Sequence, residues 1–426
     1  MAETRPETPR SGARPRVAIV LAGGGARGAY EAGVLSYLFE HVYPRLRDDF
    51  EFDVVSGTSV GAIHAAYVAA SAHLRGEARS RRIVDTWRGM QIGHVLRLSA
   101  RDLVGVPLRA MGLSRLVRGR GLTGGEPPDA VGGLVDLTPL EHLVETRIPW
   151  DGLRKNLDAR RPGAVCVSCT EVRSGRITVF MDGPLADPEP WSFDPNAVAV
   201  KTALDAHHVR ASAAIPFLFP SVRVGERYYV DGGVRLNTPL SPALRLGAER
   251  VLVVALKHTP GIAGVAPAYP EEVITQPAFL VGKVLNALLL DQLEYELQRV
   301  DLVNALIEQG TKSYGQDFLD TINQAVRAQR GTGYQLVRTA VIRPSEDVGR
   351  VAGECYRDKA DGLGLGGMAG LLARLALRGV PEEEADLLSY LLFDRCFTEQ
   401  LVEMGREDAR GMEDEIYALL ADEDGA

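Results

Sequence analysis

Two kinds of apolar pattern divide this chain. Arg16–Ala22 (RVAIVLA) and Arg250–Leu256 are unbroken apolar runs of the kind found in buried strands. Phe52-Asp53-Val54-Val55, Ala164–Val172 and Arg338–Ile342 predict three more strands, and Val222–Val230 predicts a hairpin. Between them, Ala29–Val42 and Ala62–Ala70 carry apolar or small residues at helical spacing. Farther on, Pro277–Gln309 steps its apolar residues by three and four, which predicts one or two helices. Gly362–Gly367 breaks the chain, and Met368–Leu420 reads as almost wholly helical. There Leu371, Leu372, Leu375 and Leu377 suit a core or an interface better than a ligand site. Strands and helices thus share the first part of the chain, and helices dominate the end.

Composition narrows the picture. The 426 residues are 46% hydrophobic, ample for a large core, and the net charge of −8 argues against a nucleic-acid partner. Met1–Pro15 mixes Arg, Glu, Pro, Ser and Gly without an apolar core, so it reads as a disordered arm and not as a signal peptide. No run approaches bilayer-spanning length, which predicts a cytoplasmic chain with at most peripheral lipid contact. Cys166-Val-Ser-Cys169 is formally C-x-x-C, but in a strand its two sulfurs point to opposite faces, and no second pair or histidine completes a zinc site. Buried free thiols in a reducing compartment are the expectation for Cys166, Cys169, Cys355 and Cys396.

Candidate chemistry begins at FDVVSGTSVGAIHA. A strand runs into Gly57-Thr58-Ser59-Val60-Gly61, a G-x-S-x-G elbow, and a helix follows. Such an elbow lifts the Ser59 hydroxyl clear of the sheet and sets it at a helix N-terminus, where developing negative charge is favoured. Upstream, the first strand ends in Gly23-Gly24-Gly25-Ala26-Arg27-Gly28, which matches G-x-G-x-x-G. One reading is dinucleotide binding, with Asp53 as the ribose acid. The competing reading is a turn whose backbone N–H groups face an anion, such as the tetrahedral intermediate formed at a neighbouring serine. Downstream, ASAAIPFLFP leads into the hairpin, which closes on Asp231-Gly232-Gly233. A carboxylate at a strand end beside a serine can take the hydroxyl proton where burial raises its basicity.

GGGARG, GTSVG, ASAAIPFLFP and DGG, in this order and spacing, resemble the patatin-like phospholipase family over about Arg16–Lys257. The resemblance implies an α/β fold of three layers, with a mostly parallel central sheet and helices on both faces, to which the residue pattern adds a helical C-terminal region. It implies a lipid acyl hydrolase with Ser59 as nucleophile, Asp231 as general base and the amides of Gly24, Gly25 and Ala26 as oxyanion hole. Gly23, Arg27, Gly28, Gly57, Gly61, Gly232 and Gly233 fill supporting motif positions. No cofactor or metal is implied, and the partner is a lipid ester, phospholipid or lysophospholipid.

Rival readings remain open on the residues themselves. His258 follows Asp231 at a strand end, as the histidine of a Ser-Asp-His triad would. His64, one turn past the elbow, and the pair His207-His208 read as satisfied structural residues. A nucleotide-binding protein or a catalytically silent interaction protein on the same fold are the other two classes. Residues 93–125 interleave Arg97, Arg101, Arg109, Arg115, Arg118 and Arg120 with leucines and valines, which suits a lid, a lipid-facing surface or a solvated helix face. The expected division is an arm over 1–15, a catalytic domain over 16–345 carrying that insertion, and a helical extension over 346–426, whose role as cap or oligomer surface is open.

Overall fold

The computed structural model describes residues 14–95, 130–131, 138–216, 219–259, 271–275, 279–280, 283, 292–360 and 385–421. The arm over 1–13, the Arg-rich stretch from 96 to 125 and residues 371–377 lie outside them. The strands are β1 (Val17–Leu21), β2 (Val54–Thr58), β3 (Ala130–Val131), β4 (Ala164–Glu171), β5 (Ile177–Asp182), β6 (Ala197–Lys201), β7 (Ser221–Val224), β8 (Arg227–Asp231), β9 (Arg250–Val254) and β10 (Arg338–Ile342). They form one ten-stranded sheet in the order β10-β9-β1-β2-β4-β8-β7-β3, with β5 and β6 branching from β4. The block β10-β9-β1-β2-β4 is parallel, while β8, β7, β3 and β5 join antiparallel.

Alternation along each strand feeds two cores. In β1, Val17, Ile19 and Leu21 pack with α1 (Gly28–Tyr37), α2 (Val60–Ala70) and α3 (Gly76–Arg88), whereas Ala18 and Val20 face the other side. That second core is closed by the Leu240–Arg245 and Gln292–Tyr314 helices. Every residue of α1 is buried, because the Arg395–Gly411 helix covers the flank that the sheet leaves free. An α/β fold with a mostly parallel sheet, helices on both faces and a helical C-terminal region is therefore present. No helix among the described residues is long and apolar enough to cross a membrane.

Two expectations change. Cys166 and Cys169 are free, buried and in opposite cores, as the alternation requires. Cys355 and Cys396, by contrast, are joined in a disulfide with Cα atoms 6.0 Å apart, linking the Val348–Ala360 and Arg395–Gly411 helices. Their separation of 41 residues gave no spacing to read, since only helix packing brings them together. Cysteine usage therefore no longer argues for a reducing compartment. The second change is Asp53, which precedes β2, accepts the Val17 N–H at 2.9 Å and pairs with Arg14. The glycine loop leaves the opposite end of β1, a strand length away, so Asp53 is no ribose ligand for it.

Candidate functional site

Ser59 sits at the turn between β2 and α2 with φ 56° and ψ −124°, a left-handed backbone that a non-glycine residue seldom holds. Crowding forces the neighbours to be small. A Cβ on Gly57 would stand 2.1 Å from the Gly61 carbonyl oxygen, and one on Gly61 would stand 2.2 Å from that of Leu21. The turn is further pinned because the Ser59 N–H donates to Ser212 Oγ at 2.9 Å and Ser212 donates to the Ser168 carbonyl at 2.6 Å. The side chain itself is buried at the floor of a cavity.

Asp231 reaches the same place from the other direction. Along one edge of β4, Thr58 of β2 pairs with Ser168 and Asp231 of β8 pairs with Cys169, so a parallel and an antiparallel strand end against consecutive residues. Asp231 Oδ1 accepts the Gly233 N–H at 2.7 Å, which begins the turn Gly232–Val234. Oδ2 is buried and has no hydrogen-bond partner among the described residues. Burial pushes the carboxyl up to about 7, opposed by the Ser59 hydroxyl and the Gly233 amide. The hydroxyl is thus close enough to favour the ionised carboxylate without forming a completed bond to Oδ2.

The glycine loop lies over Ser59. Gly23 is clasped by Asn237 through its N–H (3.1 Å to the carbonyl) and its own carbonyl (3.0 Å from Nδ2). Gly25 has φ +57°, and a Cβ there would meet the Tyr390 carbonyl oxygen at 2.5 Å. Among the described residues, no acceptor takes the N–H groups of Gly24, Gly25 or Ala26. They remain available to an anion above Ser59. Gly28 opens α1 and packs on Val60 and Trp87. Arg27 turns away from the cavity: Nε donates to Ser389 Oγ at 2.8 Å, Nη2 pairs with Asp386 at 3.2 Å, and the guanidinium lies 4.3 Å over the Tyr390 ring.

From Ser59 a narrow apolar cavity runs between Ile63, Trp87, Met90 and Leu140, under Tyr390 and Phe393. Sequence reasoning missed these last two, and with them the answer to what the C-terminal region does here: it caps the cavity. The signal lay only in tertiary packing. His64 also lines the cavity, yet it is satisfied as expected. Its Nε2 accepts the Trp87 indole N–H at 2.9 Å, its Nδ1 meets Glu31 at 2.6 Å, and burial holds its pKa down at about 3. His208 caps its own helix through Asp205. His258 bonds the Pro344 carbonyl at 2.9 Å and lines no part of this cavity among the described residues.

The family model of patatin-like phospholipases matches residues 19–244. Several solved structures align over most of the chain with low identity. VipD from Legionella pneumophila is 12% identical, with 92% of each chain covered and a TM-score of 0.32. Human GIVD cytosolic phospholipase A2, solved with methyl gamma-linolenyl fluorophosphonate, is 14% identical at a TM-score of 0.38, covering 95% of this chain and 58% of that one. The ExoU–SpcU complex of Pseudomonas aeruginosa gives 18% identity, coverage of 88% and 68%, and a TM-score of 0.27. This chain spans less than two thirds of the human enzyme's length. More than half of its own length matches the family model, and the chain belongs to the patatin-like phospholipases, a family of lipid acyl hydrolases.

Proposed function

We propose that Ser59 and Asp231 are the catalytic dyad of an acyl hydrolase acting on fatty-acyl esters of phospholipids or lysophospholipids. The observation that carries this reading is the buried, unpartnered Oδ2 of Asp231 beside a serine at a strained strand-to-helix turn. Asp231 takes the hydroxyl proton as Ser59 Oγ attacks the ester carbonyl. The N–H groups of Gly24, Gly25 and Ala26, with the N-terminus of α2, hold the oxyanion. Collapse of the intermediate expels the alcohol, which takes the proton from Asp231, and leaves an acyl-Ser59. Water, deprotonated by Asp231, then releases the fatty acid. The largely apolar cavity under Tyr390 and Phe393 suits the acyl chain. The Arg-rich composition of residues 93–125 supports a peripheral encounter with lipid surfaces.

A fluorophosphonate probe tests the dyad. Mass mapping is expected to find one adduct on Ser59, with nitrophenyl-ester turnover lost in step with labelling. Equal labelling of the Ser59→Ala variant would overturn the assignment.

A further inference from the structure

A second cleft, of about 600 Å³, opens on the other face of the sheet. Its walls include Val179, Trp191, Val300 and Val337 of the second core, whereas the Ser59 cavity belongs to the first. Four arginines, Arg235, Arg245, Arg299 and Arg330, line it against two carboxylates, Asp194 and Glu296. Arg245 is engaged by Asp194 at 2.5 Å and lies over the Trp191 ring at 5.4 Å. Arg330 donates to the Gly333 carbonyl at 3.3 Å. Arg235 and Arg299 are exposed, and neither side chain makes an ion pair or hydrogen bond among the described residues. Glu296 offsets only part of this charge near neutral pH, because burial pushes its carboxyl up to about 7 against the pull of Arg299, and its Oε2 has no hydrogen-bond partner among the described residues. Like-charge crowding is felt at Arg330, where desolvation and then Arg245 and Arg299 disfavour the cation.

An anion would relieve that crowding, since guanidinium groups bind carboxylate and phosphate oxygens in pairs. A bare anion would leave the apolar walls wet, and a neutral chain would leave the arginines unmatched. We propose that this cleft binds a single-chain lipid anion. Its carboxylate or phosphate is held by Arg235, Arg299 and Arg330, and its aliphatic chain lies along Trp191, Val300 and Val337. The site is separate from the dyad and stands whether or not Ser59 is the nucleophile.

Tryptophan quenching by brominated lipid tests it on the full chain. Of the three tryptophans, Trp191 lines this cleft, and Trp87 lines the Ser59 cavity. Dibromostearate is expected to give saturable quenching, part of which disappears in Trp191→Phe. The double variant Arg235→Gln/Arg299→Gln, which breaks no ion pair seen among the described residues, retains Trp191 and is expected to bind at that site at least about ten-fold more weakly. Methyl dibromostearate, lacking the charge, is expected not to quench Trp191. A parallel titration with a brominated lysophosphatidate distinguishes phosphate from carboxylate by the tighter midpoint. Absence of a Trp191 component with both lipids overturns the proposal. So does equal quenching of Trp191 by the methyl ester, or unchanged affinity in the double arginine variant.

Discussion

Arg27 of the glycine loop and Asp386 of the C-terminal region form a buried ion pair at 3.2 Å across 359 residues of sequence. A turn whose amides are left without acceptors among the described residues is therefore braced from behind by the segment that roofs the Ser59 cavity. Asp386 also meets Lys283 at 3.1 Å, but that lysine is more exposed than Arg27.

Removing the brace is expected to loosen the roof. Arg27→Ala should destabilise the chain by about 3 kcal/mol, the range for stripping one partner from a buried pair. Arg27→Lys keeps the charge but loses the fork that joins Ser389 to Asp386 and the stack on Tyr390, and about 1–2 kcal/mol is expected. Denaturant unfolding measures both. KM for long-chain esters should rise more than KM for short ones, because Tyr390 and Phe393 line the cavity.

Ser59→Ala should abolish ester hydrolysis, by about a thousand-fold or more, while leaving the melting temperature near that of the parent. The Ser59 N–H, and not its hydroxyl, makes the bond to Ser212, so the turn keeps its anchor. Near-normal turnover of a nitrophenyl ester by the folded variant would refute the nucleophile.

The pH profile follows from Asp231. A base must be ionised, so kcat/KM should climb as pH rises through about 7 and level above it. Asp231→Asn should lower turnover by roughly a hundred- to ten-thousand-fold and abolish that limb. Stability has the opposite slope. The folded carboxyl holds its proton up to about 7 while the unfolded one releases it near 3.8, so this group's contribution falls as pH rises between those values. The asparagine variant should therefore gain stability relative to the parent from acid to neutral pH, as thermal melts across that window would register.

Histidine substitutions separate dyad from triad. His258→Ala gives up one bond to the Pro344 carbonyl, so a loss of about 1 kcal/mol or less and turnover within about two-fold of the parent are expected. His64→Ala leaves the Trp87 N–H and Glu31 without their partner inside the protein, and should cost about 2 kcal/mol or more. If His258→Ala were as inactive as Ser59→Ala with its fold intact, a histidine base would replace the one assigned to Asp231.

Local motifs made the central features legible. Ser59 and Asp231 both sit at strand-to-turn junctions whose glycines leave a mark in the sequence, and β1 and β9 announce themselves as continuous apolar runs. What stayed hidden depends on contacts that no local pattern encodes. Phe52 and Asp53 looked like strand, and although β2 proper starts at Val54, the Asp53 N–H already donates to the Val17 carbonyl at 2.7 Å and its carbonyl accepts the Ala164 N–H at 2.9 Å. Trp87 and Met90 lie in a stretch for which no element was predicted, and only tertiary packing brings them to the Ser59 cavity. Tyr390 and Phe393 come from a segment whose role was open between cap and oligomer surface. The Cys355–Cys396 bond was invisible for the same reason, two helices meeting only in three dimensions.

The shared edge of β4 makes the distance between Ser59 and Asp231 a matter of strand registry. Each partner is fixed by ladder hydrogen bonds, Thr58 opposite Ser168 and Asp231 opposite Cys169, and not by a loop that can drift. Slippage of β8 by one residue would carry Asp231 about 3.4 Å along the edge and turn its carboxylate through to the other face of the sheet. Insertions or deletions in the Gly225–Glu226 tip of the β7–β8 hairpin should thus act as an on–off control on chemistry performed at the far end of the strand.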